Sequence, residues 1–446
     1  MIKRIFSLIL ILILIFGCFS VSAFEPTGFD VNAKSALFVS LDTDEVIYSK
    51  DADKRIYPAS ITKIMTTLLM LESEKYNPEN KVTMTKEVLK MISGTGSVVS
   101  NLKAGEEITE LDLTYFVLMS SAGDCAYLAA IHYYGGLEAF VQRMNDRAKE
   151  LGLKDTHYTN PIGLHDDDHY TTANDTYILA KHALQNKIFK EVCESDRYNL
   201  PATNMQGPRR LSTTNFLQDK NTNYYYSYAK GIKTGFTDEA GRCLVSTASY
   251  NGYNYMCLLF GCTPNKSNRH EFIDSKNLYR WAFNNFEFKQ IADTENPICE
   301  MPVNLSFDAD FVPLYVEKGF VSVLPKDADE STITIVPKLK SESVNAPVKK
   351  GDKLGTADVI YAEKVIGTVD LVAGQDVKKS IILSVLDALK TFFTSSYMIL
   401  FYIIIALAIL IFIIAVIKMN MKPSKNRKVK YIPYDERKEN KHDKYY

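Results

Sequence analysis

Apolar residues crowd residues 35–41 (SALFVSL) and recur in 45–49 (EVIYS), with Asp42-Thr43-Asp44 between them, the pattern of a strand hairpin. From Ile61 to about Leu184 the apolar positions take helical spacing instead. Short apolar runs bounded by turn residues return between Gly231 and Gly261, as CLVSTASY and YMCLLFG, and predict strands. Residues 272–286, FIDSKNLYRWAFNNF, predict a closing helix. Strands at both ends of a helical middle imply an α+β domain over residues 24–290, whose sheet joins distant parts of the chain. After Pro297 the texture becomes short strands and turns, a small all-β domain over 297–376. It holds no concentration of His, Cys or paired acids, so it reads as a spacer or docking module. No internal repeat is present.

The two ends are patterned differently. Lys3 and Arg4 precede an apolar run from Ile5 to Phe16, and Val21-Ser22-Ala23 fits a small-x-small cleavage site, so residues 1–23 read as a secretory signal peptide. Cys18 after Gly17 leaves a lipid-attachment reading open, although bulky Phe16 suits it poorly. Residues 377–396 form a linker in which Ile381, Ile382, Val385, Leu386 and Leu389 share one helical face, as in a helix lying on a membrane. Met398–Ile417 is free of charge and long enough to cross a hydrocarbon core of about 30 Å, giving a single transmembrane helix over 397–417. The tail, 418–446, opens with Lys418, Lys422, Lys425, Arg427, Lys428 and Lys430. Such a basic cluster stays in the cytoplasm, which leaves the bulk of the protein outside the cell membrane.

Charge adds little beyond this asymmetry. The 52 Lys and Arg balance 53 Asp and Glu, which argues against nucleic acid as a partner. Seven cysteines shrink to six once the leader is removed. Cys243, Cys257 and Cys262 lie in or beside apolar strands, where small buried thiols are expected; no disulfide pairing is assigned. There is no Cys-x-x-Cys, hence no thiolate metal cage, and nothing calls for a cofactor.

Chemistry enters at YPASITKIMTTLLMLE, residues 57–72. Ser60 and Lys63, three apart on a helix, lie on one face within reach of each other. A helix-capping serine and a solvated lysine would be the ordinary explanation. The uncharged run from Ile64 to Leu71 argues that this helix is buried, however, and a buried lysine loses its proton readily. A neutral amine beside a hydroxyl is a base beside a nucleophile. Downstream, KGIKTGFTDEAGRCLVSTA (230–248) offers Lys233-Thr234-Gly235 at the start of a strand. There a cation and a hydroxyl could hold a carboxylate, and the glycine would admit a substrate backbone. Between the two lies LMSSAGDCAYLAA (118–130), with Ser121 and Asp124.

Ser-x-x-Lys followed by Lys-Thr-Gly in this order resembles the penicillin-recognising serine enzymes. The likeness to low-molecular-mass penicillin-binding proteins, the D-alanyl-D-alanine carboxypeptidases, covers nearly all of residues 30–375. It is carried also by TNPIGLHDDDHYTTANDTYILAKHAL and, in the β domain, by APVKKGDKLGTADV. The resemblance implies a β-lactamase-like transpeptidase fold and an acyl-enzyme mechanism. Ser60 would attack the carbonyl between two D-alanines of a peptidoglycan stem peptide, with Lys63 as base. Ser121 would relay a proton to the leaving amine, and Lys233 and Thr234 would grip the terminal carboxylate. Gly235 would make room for the substrate, and the backbone N–H groups of Ser60 and Phe236 would form an oxyanion hole. β-Lactam antibiotics would acylate Ser60.

One departure stands out. Gly123 occupies the substrate-binding position where the family has an asparagine whose amide holds the lysine and a substrate carbonyl. That departure keeps a catalytically weakened peptidoglycan-binding homologue as an alternative, while a serine β-lactamase lacks its Glu-x-x-Leu-Asn pattern here. HDDDH (165–169) reads as a structural loop rather than a metal site. Arg269 is either an aid to carboxylate binding or a solvated charge, and Tyr224, Tyr225 and Tyr226 read as a loop cap.

Overall fold

Every residue of Ser35–Ser40 (β1) is buried, so this strand needs apolar side chains on both faces. It pairs antiparallel with Val46–Lys50 (β2), as the hairpin pattern predicts. The computed structural model, which describes residues 24–265 and 267–421, continues with a short 3-10 turn, Ala59–Thr62, that runs directly into Lys63–Leu71 (α1). Helices Lys86–Ile92 (α2), Glu110–Leu118 (α3), Gly123–Tyr134 (α4), Leu137–Glu150 (α5), Ala173–Ala183 (α6) and Lys187–Glu194 (α7) follow. Strands Ala229–Thr237 (β3), Gly241–Tyr250 (β4) and Tyr253–Cys262 (β5) then precede His270–Asn285 (α8). The expected signal peptide and the tail beyond Met421 lie outside the described residues.

The five strands form one antiparallel sheet in the order β2-β1-β5-β4-β3. β1 lies inside the sheet against β5, which brings the first strand of the chain beside one more than 200 residues later, Phe38 opposite Cys257. Alternation then sorts side chains to two cores. Leu37, Val39, Met256 and Leu258 face Ile64, Met65 and Leu68 of α1, whereas Phe38, Tyr255 and Leu259 pack with Phe272, Leu278 and Tyr279 of α8. A third, helical core gathers Val88, Leu113, Phe116, Cys125 and Leu128 from α2, α3 and α4, and Met70 of α1 reaches into it. Helix α1 is therefore wrapped by protein, as its uncharged run suggests.

The helical reading of 61–184 misses the pair Lys81–Thr83 with Glu107–Thr109 and the irregular stretch between them that follows α2. A second short pair, Arg197–Leu200 with Arg209–Ser212, lies beyond that range, where the sequence pattern assigns no element. These strands are too short and polar (RYNL, RRLS) to carry alternation. A further correction concerns Lys233-Thr234-Gly235, which lies in the second half of β3 rather than at its start. β3 pairs along almost the whole of β4, from Ala229 opposite Ala248 to Thr237 opposite Gly241, and this sets its length.

Contacts gather the described residues from Phe24 to Ile298 into one compact unit, which also takes in 316–338 and 355–371; the second unit begins at Cys299. The region after Pro297 is all-β as expected, with a six-stranded sheet in the order 333–339, 353–361, 364–373, 311–316, 299–304, 344–345. The linker contains a helix, Ile381–Thr394 (α9), capped by Ser380 and exposing Ile381, Ile382, Val385, Leu386 and Leu389. Ser396–Asn420 (α10) is the one helix among the described residues long and apolar enough to cross a membrane. Its 25 residues, at about 1.5 Å each, exceed a hydrocarbon core.

Candidate active site

Ser60 sits in the 3-10 turn and Lys63 opens α1, a tighter arrangement than the single α-helix the spacing suggests. The contact survives it: Lys63 Nζ donates to Ser60 Oγ at 3.0 Å and to the Ile162 carbonyl at 2.8 Å. Lys63 is 0% exposed. Burial pulls its pKa down to about 7, against a smaller upward pull from Asp124. Ala59, just before the serine, has φ +47°, a left-handed conformation that aims the turn at the cavity.

Two glycines permit this turn to be held tightly from both sides. A Cβ on Gly163 would lie 1.8 Å from the Ala59 carbonyl oxygen, and one on Gly235 would lie 2.9 Å from the Pro58 carbonyl oxygen and 3.2 Å from the Ser60 nitrogen. Gly235 thus lets β3 come against the backbone of Ser60, whereas the sequence reading had it only admit substrate.

A cavity of about 510 Å³ opens over the serine, lined by Ser60, Ser121, Thr214, Thr234, Gly235 and Phe236 among others. Ser121, between α3 and α4, is buried with φ +62°. Thr234 Oγ1 donates to Thr214 Oγ1 at 2.7 Å, which adds a second hydroxyl to the wall. Lys233 is buried beneath the lining, donating to the Thr234 carbonyl at 3.1 Å. Burial, and then the charge of Lys63, hold its amine well below the usual lysine range. Phe236 turns its ring outward, 46% exposed, with the Arg242 guanidinium over it at 5.0 Å.

Of the two readings of Arg269, free solvation does not describe its surroundings. It lines the cavity, its Nε donates to buried Glu271 at 2.6 Å, and its guanidinium rests on Phe216 and Phe272. The tyrosine run packs as a loop cap: Tyr224 Oη accepts from the Arg269 backbone N–H, and Tyr226 stacks on Tyr279. HDDDH splits apart, with Asp166, Asp167 and Asp168 exposed, His165 at the cavity rim against Tyr57, and His169 buried. The six described cysteines are free thiols, Cys243, Cys257 and Cys262 among the buried ones.

Three contributors escaped the sequence reading. Asn160 accepts the backbone N–H groups of Ile162, Gly163 and Leu164 on its Oδ1, and so forms the turn that presents the Ile162 carbonyl to Lys63. His169 bonds Thr62 Oγ1 at 2.8 Å and accepts the Thr159 N–H at 3.1 Å, tying this loop to the turn that carries Ser60. Thr214 lies on a loop with no pattern of its own. Asn160 could have been suspected, since Asn-Pro followed by Gly is turn chemistry.

Gly123 opens α4, and its N–H donates to the Val98 carbonyl at 2.7 Å. Asp124 is fully buried, accepting from the Ser100 N–H at 2.9 Å, from the Ser100 hydroxyl and from the Cys125 N–H.

Known proteins resemble this chain in sequence and in fold. The D-alanyl-D-alanine carboxypeptidase family matches residues 20–263, more than half of the chain, and the C-terminal domain of penicillin-binding protein 5 matches 303–379. D-alanyl-D-alanine carboxypeptidase DacF of Bacillus subtilis is 28% identical over 388 residues, covering 85% of this chain and 95% of that protein. DacC of Escherichia coli is 28% identical over 80% of this chain and 89% of its own. The crystal structure of penicillin-binding protein 5 from Haemophilus influenzae superposes with a TM-score of 0.64 at 25% identity, over 80% of this chain and 100% of that one. The Streptomyces K15 DD-transpeptidase gives 0.54 at 27% identity, over 58% and 99%. With a serine at its cavity held against a buried lysine and with its all-β second domain, the chain belongs to the D-alanyl-D-alanine carboxypeptidase family of serine-type penicillin-binding proteins.

Proposed function

We propose that this protein removes the terminal D-alanine from peptidoglycan stem pentapeptides through an ester on Ser60, and that β-lactams acylate the same hydroxyl. The observation that carries the reading is the 3.0 Å contact between Ser60 Oγ and a lysine whose pKa is near 7. At neutral pH a good part of Lys63 is unprotonated and can take the serine proton as Oγ attacks the carbonyl between the two D-alanines. The tetrahedral oxyanion is held by the N–H groups of Ser60 and Phe236. Ser121 passes the proton to the departing amine, D-alanine leaves, and water then cleaves the ester. The substrate carboxylate lies against Thr234 and Lys233, with Arg269 on the same wall. A carboxylate placed there favours the protonated form of Lys233, offsetting the burial that depresses it.

Helix α10 anchors the protein in the cell membrane in this reading, with the α+β and β domains outside and Lys418 and the basic tail in the cytoplasm. The test is mass spectrometry of the full chain in detergent after incubation with a penicillin, together with D-alanine release from a pentapeptide ending in D-Ala-D-Ala. An adduct on Ser60, with release that Ser60→Ala abolishes, is expected. Absence of any adduct would overturn the nucleophile assignment, and an adduct without release would leave only a penicillin-binding receptor.

A further inference from the structure

The vacancy at Gly123 is not empty space. A Cβ built on this glycine would lie 2.3 Å from Ser97 Oγ and 3.1 Å from both Ser97 Cβ and Ile92 Cδ1, so the Ser97 hydroxyl occupies the volume into which a side chain at 123 would grow. Ser97 lies on the stretch after α2 that the helical sequence pattern concealed, and lines the cavity together with Ser60 and Ser121. That stretch is fastened to the start of α4 on the C-terminal side of Ser97. The Val98 carbonyl accepts the Gly123 N–H, and Ser100 gives its N–H and its hydroxyl to Asp124. On the N-terminal side the Thr95 hydroxyl donates to the Ile92 carbonyl and accepts the Ser97 N–H. The backbone of Ser97 is thereby fixed. Its own hydroxyl makes only a long contact, 3.5 Å to the Val98 carbonyl, so it remains available to a ligand.

An asparagine at 123 would do two jobs, holding the lysine and meeting a substrate carbonyl. The first is already filled by the Ile162 carbonyl, 2.8 Å from Lys63 Nζ. Asp124 cannot take the second, since its carboxylate is buried and spent on Ser100 and Cys125. We infer that Ser97 is a substrate-binding residue of this enzyme, its hydroxyl donating to the peptide carbonyl on the N-terminal side of the D-Ala-D-Ala unit in place of the amide that Gly123 lacks. The inference rests on the acyl-enzyme reading above.

The test compares kcat/KM of the full chain and its Ser97→Ala variant on two probes, an N-acylated D-Ala-D-Ala and an N-alkylated one that lacks the contacted carbonyl. Loss of one neutral hydrogen bond predicts a fall of roughly fivefold to tenfold on the acylated probe, and no change on the alkylated one. A purely structural role for Ser97 would depress both alike and overturn the assignment, as would an unchanged rate on both. A second variant pair guards against a change in folding. Gly123→Asn alone should lose activity through its collision with Ser97, and Ser97→Gly combined with Gly123→Asn should recover it. A double variant no better than Gly123→Asn would count against the shared volume. If the parent chain neither releases D-alanine nor is acylated, the acyl-enzyme reading falls and takes this inference with it. An active parent that is indifferent to Ser97→Ala overturns this inference alone.

Discussion

Lys63 Nζ, itself fully buried, stands 3.0 Å from Ser60 Oγ at the floor of an open cavity, and the Ile162 carbonyl, not an asparagine side chain, holds its other side. This trades a removable amide for backbone. The lysine's position then depends on the turn that Asn160 builds and that His169 ties down.

Acylation should show an acid limb. As the proposed base, Lys63 can accept the serine proton only when unprotonated, and burial pulls its pKa to about 7, so the rate of penicillin acylation should rise with pH through about 7 and level off above it. Lys233 is close enough to influence this titration, so the midpoint belongs to the pair. Acylation rates measured from pH 5.5 to 9 would check this, and a rate flat across that range would remove Lys63 from the role of base. Lys63→Arg, which stays charged throughout, should be at least a hundredfold slower at every pH.

The two glycines around Ser60 should differ in how they fail. Gly235→Ala forces β3 away from Pro58 and Ser60 by a few tenths of an ångström, at about 1–3 kcal/mol, and should give a folded protein that acylates slowly. Gly163→Ala meets backbone at 1.8 Å in addition to a φ of +82°, and should lower the melting temperature more than Gly235→Ala does. Calorimetry alongside penicillin labelling separates the two, and equal melting temperatures would contradict this order.

Acid should destabilise the site through His169. Burial depresses its pKa from 6.5 to about 4, so the folded state keeps it neutral while the unfolded state takes up a proton. That group's contribution is fully present above about pH 6.5. It is lost as pH falls toward 4, at a cost of about 3 kcal/mol when complete. Denaturant titrations at pH 7 and pH 4.5 should show a smaller difference for His169→Gln than for the parent. An equal difference would place the acid sensitivity elsewhere.

How much of this was written in the chain can be judged residue by residue. Ser60 and Lys63 were legible because three-residue spacing is a local property of a helix, and the apolar run behind them announced that the lysine is buried. The hairpin 35–49, the strands of 241–262 and α8 were legible for the same reason, since periodicity reports which face meets a core. The long uncharged helix near the C-terminus needs no partner to be recognised.

What only the tertiary structure decided is which distant residues meet. The sheet order sets Phe38 beside Cys257, and so carries Lys233 and Thr234 to the serine's turn. Asn160, Ile162, His169 and Thr214 reach the site from loops, where no period marks a residue's direction. Ser97 belongs to the same class. The sequence shows a glycine where an amide is expected, but side-chain volume is shared through space, and the hydroxyl that fills it comes from 26 residues away along the chain.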